Sequence, residues 1–204
     1  MGNRHDYWEG IYLSNKNKFP GWYQEYPTHS INLIESCHLE YEAQLLDVGG
    51  GDSLLVDHLL VKGYKNISIL DISSNSLQRA QDRLGEKAKL VNWIAQDVTE
   101  FSSNKVYDLW HDRAAFHFLL TEEDILSYVN HVKNSLKKGG WFILGTFSDK
   151  GPKKCSGLPI TQYSSEKLSV LFGKYFQLID WFNDDHLTPG GGVQNYIYCR
   201  FRKQ

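Results

Sequence analysis

Short apolar runs alternate with helix-like stretches along the middle of the chain. The runs are bounded by glycines and polar residues, and they predict buried strands at residues 43–48, 66–71, 90–95, 106–110 and 140–147. Between them, helical spacing or capping residues predict helices at residues 53–62, 73–85 and 121–136. Such alternation is typical of a parallel sheet covered by helices, with its ligand crevice at the carboxyl ends of the strands.

The two ends of the chain follow a different pattern. Residues 1–28 are rich in Trp, Tyr, Pro and Gly and predict an irregular arm with one short helix, before a helix from Thr28 to about His38. After a loop of about 15 residues, the C-terminal part predicts a helix at 164–171 and strands at 175–181 and 192–201. No clear helix separates these strands, which predicts an antiparallel hairpin.

Length and composition place the chain in an ordinary class. At 204 residues one domain is expected, with residues 1–40 as an N-terminal cap and 41–204 as the core. Hydrophobic residues make up 41% and charged residues 23%, as in a globular protein. The net charge of -2 gives no bulk electrostatic reason to bind nucleic acid or an anionic membrane, so neither is expected as a partner.

The cysteines and the N-terminus bear on compartment and metal binding. Cys37, Cys155 and Cys199 are odd in number and far apart, which argues against a disulfide framework and against a structural zinc site. The first residues are polar and lack the apolar core of a signal peptide. A reducing, cytoplasmic location and no metal are therefore expected.

A glycine-rich turn follows the first predicted strand. Gly49, Gly50 and Gly51 let the backbone approach a ligand closely, and the following helix start offers free N–H groups. A dinucleotide fingerprint would need a third spaced glycine, but Leu54 stands at that position. Asp47 precedes the glycines. Its carboxylate is a poor neighbour for a pyrophosphate and suits a ligand that carries an ammonium and a sulfonium.

Acidic residues also end the next two predicted strands. Asp71 can accept hydrogen bonds from both ribose hydroxyls of an adenosine, and Ile72 can pack on the adenine face. Asp97 can accept from the exocyclic amine of adenine, with Val98 beside it. Each aspartate alone is as readily a helix cap, but all of them in this order indicate an adenosine site.

These segments resemble the class I S-adenosylmethionine (SAM)-dependent methyltransferase family. The resemblance covers residues 40–147 well and implies an α/β fold: a Rossmann-like, doubly wound, seven-stranded sheet, mostly parallel with an antiparallel last strand. It also implies SAM as cofactor and S-adenosylhomocysteine (SAH) as product. Two positions depart from the pattern, with Ser53 where a further glycine is frequent and Lys138 where proline is frequent. The matching segments are LLDVGGGDS (45–53), ILDI (69–72), AQDV (95–98), YDLW (107–110) and LKKGGW (136–141).

The resemblance assigns cofactor contacts by position. Asp47, Gly49 and Gly51 would line the methionine moiety, Asp71 would hold the ribose and Asp97 the adenine. The segment with Trp22 and Tyr23 is similar to an aromatic segment of some family members, protein-lysine methyltransferases included, and would fold over the cofactor. The alternative is an N-terminal arm that packs on the core.

Two segments are placed to build the acceptor pocket. Residues 111–118 directly follow the fourth predicted strand, where family members face the transferring methyl. Cys155 and His186 lie in loops leading to the same crevice and would contact substrate or only pack. The first segment supplies His111 or His117 as a general base or as a structural histidine, Asp112 with Arg113 as a substrate clamp or a fold-holding pair, and Phe116 as a wall.

The sequence therefore predicts a SAM-dependent methyltransferase that acts on an O, S or N nucleophile of a small molecule. The fourth-strand segment lacks the Asn-Pro-Pro-Tyr signature of many amino-group and nucleic-acid base methyltransferases. A protein-lysine methyltransferase is the alternative. A nicotinamide-dependent oxidoreductase and a non-catalytic SAM-binding protein are less favoured. A monomer and a homodimer are both compatible with the sequence.

Overall fold

The computed structural model describes residues 4–14 and 19–204; residues 1–3 and 15–18 of the predicted cap lie outside the described part. Two 3₁₀ turns, Val98–Glu100 and Phe116–Phe118, follow strands β3 and β4. The elements in chain order are α1 Arg4–Ser14, α2 Thr28–Glu35, β1 Gln44–Val48, α3 Leu55–Lys62, β2 Asn66–Asp71, α4 Ser74–Leu84, β3 Val91–Ala95, β4 Tyr107–Arg113, α5 Glu122–Ser135, β5 Leu136–Phe147, β6 Lys154–Cys155, β7 Leu158–Pro159, α6 Ser165–Phe172, β8 Phe176–Leu187 and β9 Val193–Lys203.

Seven strands form one sheet in the order β3-β2-β1-β4-β5-β9-β8. Strands β1 to β5 pair in parallel, and β9 runs antiparallel to both of its neighbours, β5 and β8. The predicted mostly parallel sheet with an antiparallel last strand is confirmed. The strand order reverses between β1 and β4, which places the ligand crevice at the carboxyl ends of these strands.

Side chains alternate between two apolar cores, one on each face of the sheet. Leu45 belongs to the core packed against α2, α3 and α4, and its neighbour Leu46 to the core packed against α5 and α6. Leu109 and Trp110 divide between the two cores in the same way. This alternation decides which residues at the strand ends can meet.

Several elements are longer than predicted. Strand β4 continues to Arg113 because β1 and β5 both pair with its end, so residues 111–113 lie in the strand and not after it. Strand β8 continues to Leu187, past its predicted end at residue 181, and β9 continues to Lys203, past its predicted end at residue 201. The N-terminal arm contains an 11-residue helix, α1, which packs against α4.

Within residues 4–14 and 19–204, no helix is long and apolar enough to span a membrane. The same described ranges contain no cluster of three or more His, Cys, Asp or Glu residues that could hold a metal ion.

Candidate functional site

Two adjoining cavities open at the carboxyl ends of β1, β2, β3 and β4. The larger has a volume of about 470 Å³ and is lined by Asp47, Gly49, Trp22 and Tyr23, among others. The smaller, about 100 Å³, contains the adenosine-side residues predicted from the sequence, Asp71, Ile72, Asp97 and Val98. The residues that line both cavities, and so mark their junction, are Tyr12, Trp22, Gly49 and Arg113.

The glycine turn is shaped by contacts within the protein. Gly49 has a φ of +68°, and a Cβ there would lie 2.7 Å from the Cβ of Ala115. A Cβ on Gly51 would lie 2.5 Å from an oxygen of Asp71. Only glycine therefore allows this loop to lie against the ends of β2 and β4. Ser53, the departure from the family pattern, accepts a hydrogen bond from the Leu55 N–H and helps to begin α3.

A buried polar chain crosses the floor of the larger cavity. Asp47 and His111 are paired in register on β1 and β4, so they share a sheet face, and the Asp47 carboxylate lies 2.6 Å from His111 Nδ1. His111 Nε2 lies 2.9 Å from the hydroxyl of Ser30 on α2. Asp47 Oδ2 is buried and has no hydrogen-bond partner. The site therefore holds a free carboxylate oxygen beside an imidazole whose two nitrogens are both engaged.

The Asp71 carboxylate is organised by backbone donors. It accepts hydrogen bonds from the N–H groups of Gly51, at 3.0 Å, and Ser73, at 2.9 Å. Burial raises its pKa to about 6, although these donors and Ser76 act in the opposite direction. Asp71 also lines the smaller cavity, so its carboxylate is placed to accept further hydrogen bonds from a ligand there.

Asp97 carries contacts that its sequence position did not reveal. One of its oxygens accepts from the N–H and the hydroxyl of Thr99, as a cap of the following turn. The other lies 3.1 Å from the guanidinium of Arg4 on α1. An adenine amine at Asp97 would therefore share this carboxylate with Arg4.

Helix α1 forms a wall that sequence reasoning missed. Arg4, Trp8 and Tyr12 all line the smaller cavity, and Trp8 packs edge-on against Trp22 and Phe118. Glu9 accepts hydrogen bonds at the start of α4, including one of 2.6 Å from the Ser74 N–H. The spacing of Trp8 and Tyr12, four residues apart on one helical face, is the signal that the sequence offered.

Arg113 stands at the junction of the two cavities. Its Nε donates to the Tyr198 hydroxyl at 3.1 Å, and its Nη1 donates to the Trp22 carbonyl at 2.9 Å. Gly145 makes this possible, because a Cβ there would lie 2.8 Å from the Tyr198 ring and 3.3 Å from Arg113 Cγ. Arg113 thus fastens the segment with Trp22 to the end of β4.

The predicted pairing of Asp112 with Arg113 is not formed. Asp112 projects to the α5 face of the sheet, where it accepts a 2.8 Å hydrogen bond from the Tyr128 hydroxyl and others from the N–H groups of Ala115 and Phe116. Burial raises the pKa of Asp112 to about 6. Phe116 is fully buried in the same core. Neither Asp112 nor Phe116 lines either of these two cavities, and the contacts given for both are with other residues of the fold.

His117, Cys155 and His186 lie behind the crevice and line neither cavity. His117 is fully buried and stacked on Phe147 at 4.4 Å, and burial, with the Arg113 charge, lowers its pKa to about 3. Cys155 is buried, which raises its thiol pKa. His186 Nε2 lies 2.8 Å from the Gly21 carbonyl, so it holds the N-terminal segment in place.

The comparisons with known proteins agree with this geometry. Residues 46–142 match the family described as "Methyltransferase domain". The chain is 30% identical over 104 residues to Malonyl-[acyl-carrier protein] O-methyltransferase 2 of Ilyobacter polytropus, covering 50% of this chain and 39% of that relative. The chain thus covers well under half of that relative's length.

Two further proteins are similar along most of the chain. EEF1A lysine methyltransferase 2 of Danio rerio is 22% identical, with 98% of this chain and 86% of that relative covered. The structure of the Burkholderia thailandensis 1,6-didemethyltoxoflavin-N1-methyltransferase, with 1,6-didemethyltoxoflavin and SAH bound, superposes with a TM-score of 0.76 at 19% identity, over 98% of this chain and 87% of that chain.

The matched domain lies on the part of the chain that builds β1 to β5 and the glycine turn. The superposition extends the same fold to the N-terminal helices and the β8–β9 hairpin. Residues 46–142 thus match a methyltransferase domain, and the chain has the Rossmann-like fold of class I SAM-dependent methyltransferases.

Proposed function

We propose that the protein transfers a methyl group from SAM to an O, S or N nucleophile of a small molecule. The observation that carries the proposal is the buried Oδ2 of Asp47, which has no hydrogen-bond partner; Asp47 lines the larger cavity, and Asp71 and Asp97 line the adjoining smaller one. A buried carboxylate oxygen without a partner is costly and calls for a cationic or hydrogen-bond-donating ligand. The ammonium of SAM provides one.

The chain's own residues bind and orient the reactants. Asp71 and Asp97 suit the ribose and the adenine, with Ile72 and Val98 as apolar contacts, and the segment with Trp22 and Tyr23 covers the crevice. When bound, SAM supplies a methyl group on an electrophilic sulfonium. Positioning and exclusion of water then provide much of the rate enhancement.

His111 is the proposed proton acceptor, for an acceptor group that arrives protonated. Asp47 at 2.6 Å fixes its Nδ1, and Ser30 at 2.9 Å occupies its Nε2. A proton can therefore reach Nε2 directly, once Ser30 turns away, or through the Ser30 hydroxyl. The buried His117 is a poorer base, because its pKa lies near 3.

The covered crevice favours a small acceptor over a protein side chain. Helix α1 and the segment with Trp22 form walls of both cavities, and a volume of about 470 Å³ is in the range of small-ligand sites. The similarity to the Danio rerio lysine methyltransferase, along 98% of the chain, keeps a protein-lysine acceptor as the second candidate.

We further infer one domain over residues 1–204 with residues 1–40 as its cap, and a reducing cytoplasmic location that suits three free cysteines.

Ligand-induced thermal stabilisation tests the cofactor. SAM and SAH should each raise the Tm by several degrees at 100-fold excess over Kd, whereas NAD⁺ should not. Stabilisation by NAD⁺ instead would favour an oxidoreductase. An Asp82→Asn variant, altered at an exposed position on α4, should keep the SAH response, and Asp71→Asn should lose it.

A screen for SAH release over thiols, phenols, amines and a protein extract tests the acceptor. Turnover with a small molecule supports the proposal. Tritiated methyl found only in protein would establish the lysine alternative, and SAM binding without turnover on any acceptor would favour a non-catalytic protein.

A further inference from the structure

Arg113 is a half-buried cation that has spare donors and, among the described residues, no acidic side chain in ion-pair contact. Two of its five N–H groups are used, by Tyr198 and by the Trp22 carbonyl. Nη2 is buried and has no hydrogen-bond partner. Two N–H groups on Nη2 and one on Nη1 therefore remain free, side by side, in the geometry that a carboxylate accepts.

The charge of Arg113 is not neutralised locally. Across residues 4–14 and 19–204, no Asp or Glu oxygen lies within 4.0 Å of its guanidinium, and the remaining seven residues include no Asp or Glu. Asp47 acts on Arg113 only at longer range and is already bonded to His111. The other charged arginines of the larger cavity, Arg79 and Arg83, are both paired with Asp52.

The groups around Arg113 are polar and uncharged. Its guanidinium lies over the Tyr196 ring at 4.8 Å. The Tyr196 hydroxyl is buried without a partner, and so is Nε2 of His117. Burial raises the pKa of Tyr196 and of the Cys155 thiol, and it lowers that of His117, so each is neutral at pH 7. The guanidinium of Arg113 therefore lies among neutral polar groups, and none of them supplies the negative charge that would balance it.

We propose that Arg113 binds a carboxylate of the methyl acceptor, which makes the substrate an organic acid. The proposal rests on the proposed methyltransferase function and specifies its substrate class. Arg113 lines both cavities at their junction, and it stands at the end of β4 beside the floor formed by Asp47 and His111. An acid anchored there lies next to the reacting end of the cofactor.

Charge balance favours the acceptor over the cofactor's own carboxylate as the ligand of Arg113. SAM brings a sulfonium cation to the crevice, and an unpaired guanidinium nearby would repel it. An anionic acceptor compensates both cations at once. The free oxygen of Asp47 already provides a contact for the amino-acid end of SAM.

Binding of small acids to the SAH-loaded protein tests the proposal without turnover. The probes are acetate, benzoate, phenylacetate and succinate, each paired with its amide, and binding is measured by calorimetry at constant ionic strength. At least one acid should bind about tenfold more tightly than its amide, as expected for a charge-assisted pair. Arg113→Gln should remove that preference, and Arg113→Lys should keep part of it.

Three controls distinguish acid binding by Arg113 from a general effect of positive charge in the cavity and from a role of Arg113 in cofactor binding. Arg83→Gln removes an exposed, Asp52-paired arginine of the same cavity and should leave acid binding unchanged. The SAH affinity of Arg113→Gln should stay within about threefold of wild type; a loss of tenfold or more would assign Arg113 to the cofactor and overturn the proposal. If Arg113→Gln does not fold, the acid-over-amide preference of the wild type and its weakening in Arg113→Lys decide.

The proposal also fails if no acid binds better than its amide, or if Arg83→Gln removes the preference as fully as Arg113→Gln. Failure of the wild type to bind SAH at all would instead contradict the proposed function. The two failures are therefore distinguishable in the same experiment.

Discussion

Asp71 shows how burial and hydrogen bonds compete at one carboxyl group. Donors from Gly51 and Ser73 favour its charged form, yet burial prevails and raises its pKa to about 6. The protonated form has one oxygen less with which to accept from a ribose. The charge state of this residue should therefore control cofactor affinity just below neutral pH.

SAH affinity is expected to fall as the pH drops through 6. Only the ionised carboxylate accepts fully from the ribose hydroxyls, and at pH 5 about one tenth of Asp71 is ionised, which predicts about tenfold weaker binding than at pH 7.5. Calorimetric titration with SAH at pH 5, 6 and 7.5 measures this. Asp71→Asn should bind weakly with a flat profile, and Asp82→Asn should follow the wild type. A flat wild-type profile would contradict the role of Asp71.

At the scale of elements, the sequence predicted the central strands well and the N-terminal part poorly. The turn after β1 and the acidic ends of β2 and β3 depend on local pattern, and they lie where they were expected. The position of helix α1 does not follow from local pattern, because it depends on contacts that Trp8 and Glu9 make with elements distant in the sequence. The partners of Asp112 and Arg113 were likewise set by strand alternation beyond the predicted end of β4.

Two glycine substitutions distinguish helix propensity from packing. Gly10 lies exposed inside α1 with nothing within 4 Å of an added Cβ, so Gly10→Ala should stabilise the protein by about 0.5–1 kcal/mol. Gly145→Ala should destabilise it by about 1–3 kcal/mol, because Tyr198 and Arg113 must move apart. Urea unfolding measures both changes. If Gly145→Ala changed the free energy of unfolding by the same amount and sign as Gly10→Ala, the Tyr198 and Arg113 side chains would not limit the space at Gly145.

At the scale of the whole molecule, buried ionisable groups act on stability in opposite directions. Burial raises the pKa of Asp112, so this group contributes more stability as the pH falls toward its unfolded value. Burial lowers the pKa of His117 to about 3. Below about pH 6.5 the imidazole therefore binds a proton in the unfolded chain but not in the folded one, and the folded state loses stability as the pH falls. Between pH 7 and 5 the two effects partly cancel in the wild type.

Removing His117 should expose the underlying carboxylate effect. In the unfolded chain the imidazole binds a proton at pH 5, whereas in the folded chain it stays neutral beside Phe147, which costs about 2 kcal/mol at that pH. His117→Gln loses packing at every pH but escapes this cost. Its Tm, relative to wild type, should therefore rise by roughly 4–8 °C between pH 7.5 and pH 5.

An exposed histidine provides the matched control for that measurement. His38 has a φ of +48°, a conformation that asparagine tolerates, so His38→Asn should fold normally and leave the pH dependence unchanged. Parallel Tm curves for wild type and His117→Gln would mean that His117 gains a proton in the folded protein near its ordinary pKa. The imidazole would then be accessible to water, which would contradict the description of His117 as a buried, neutral group near Arg113.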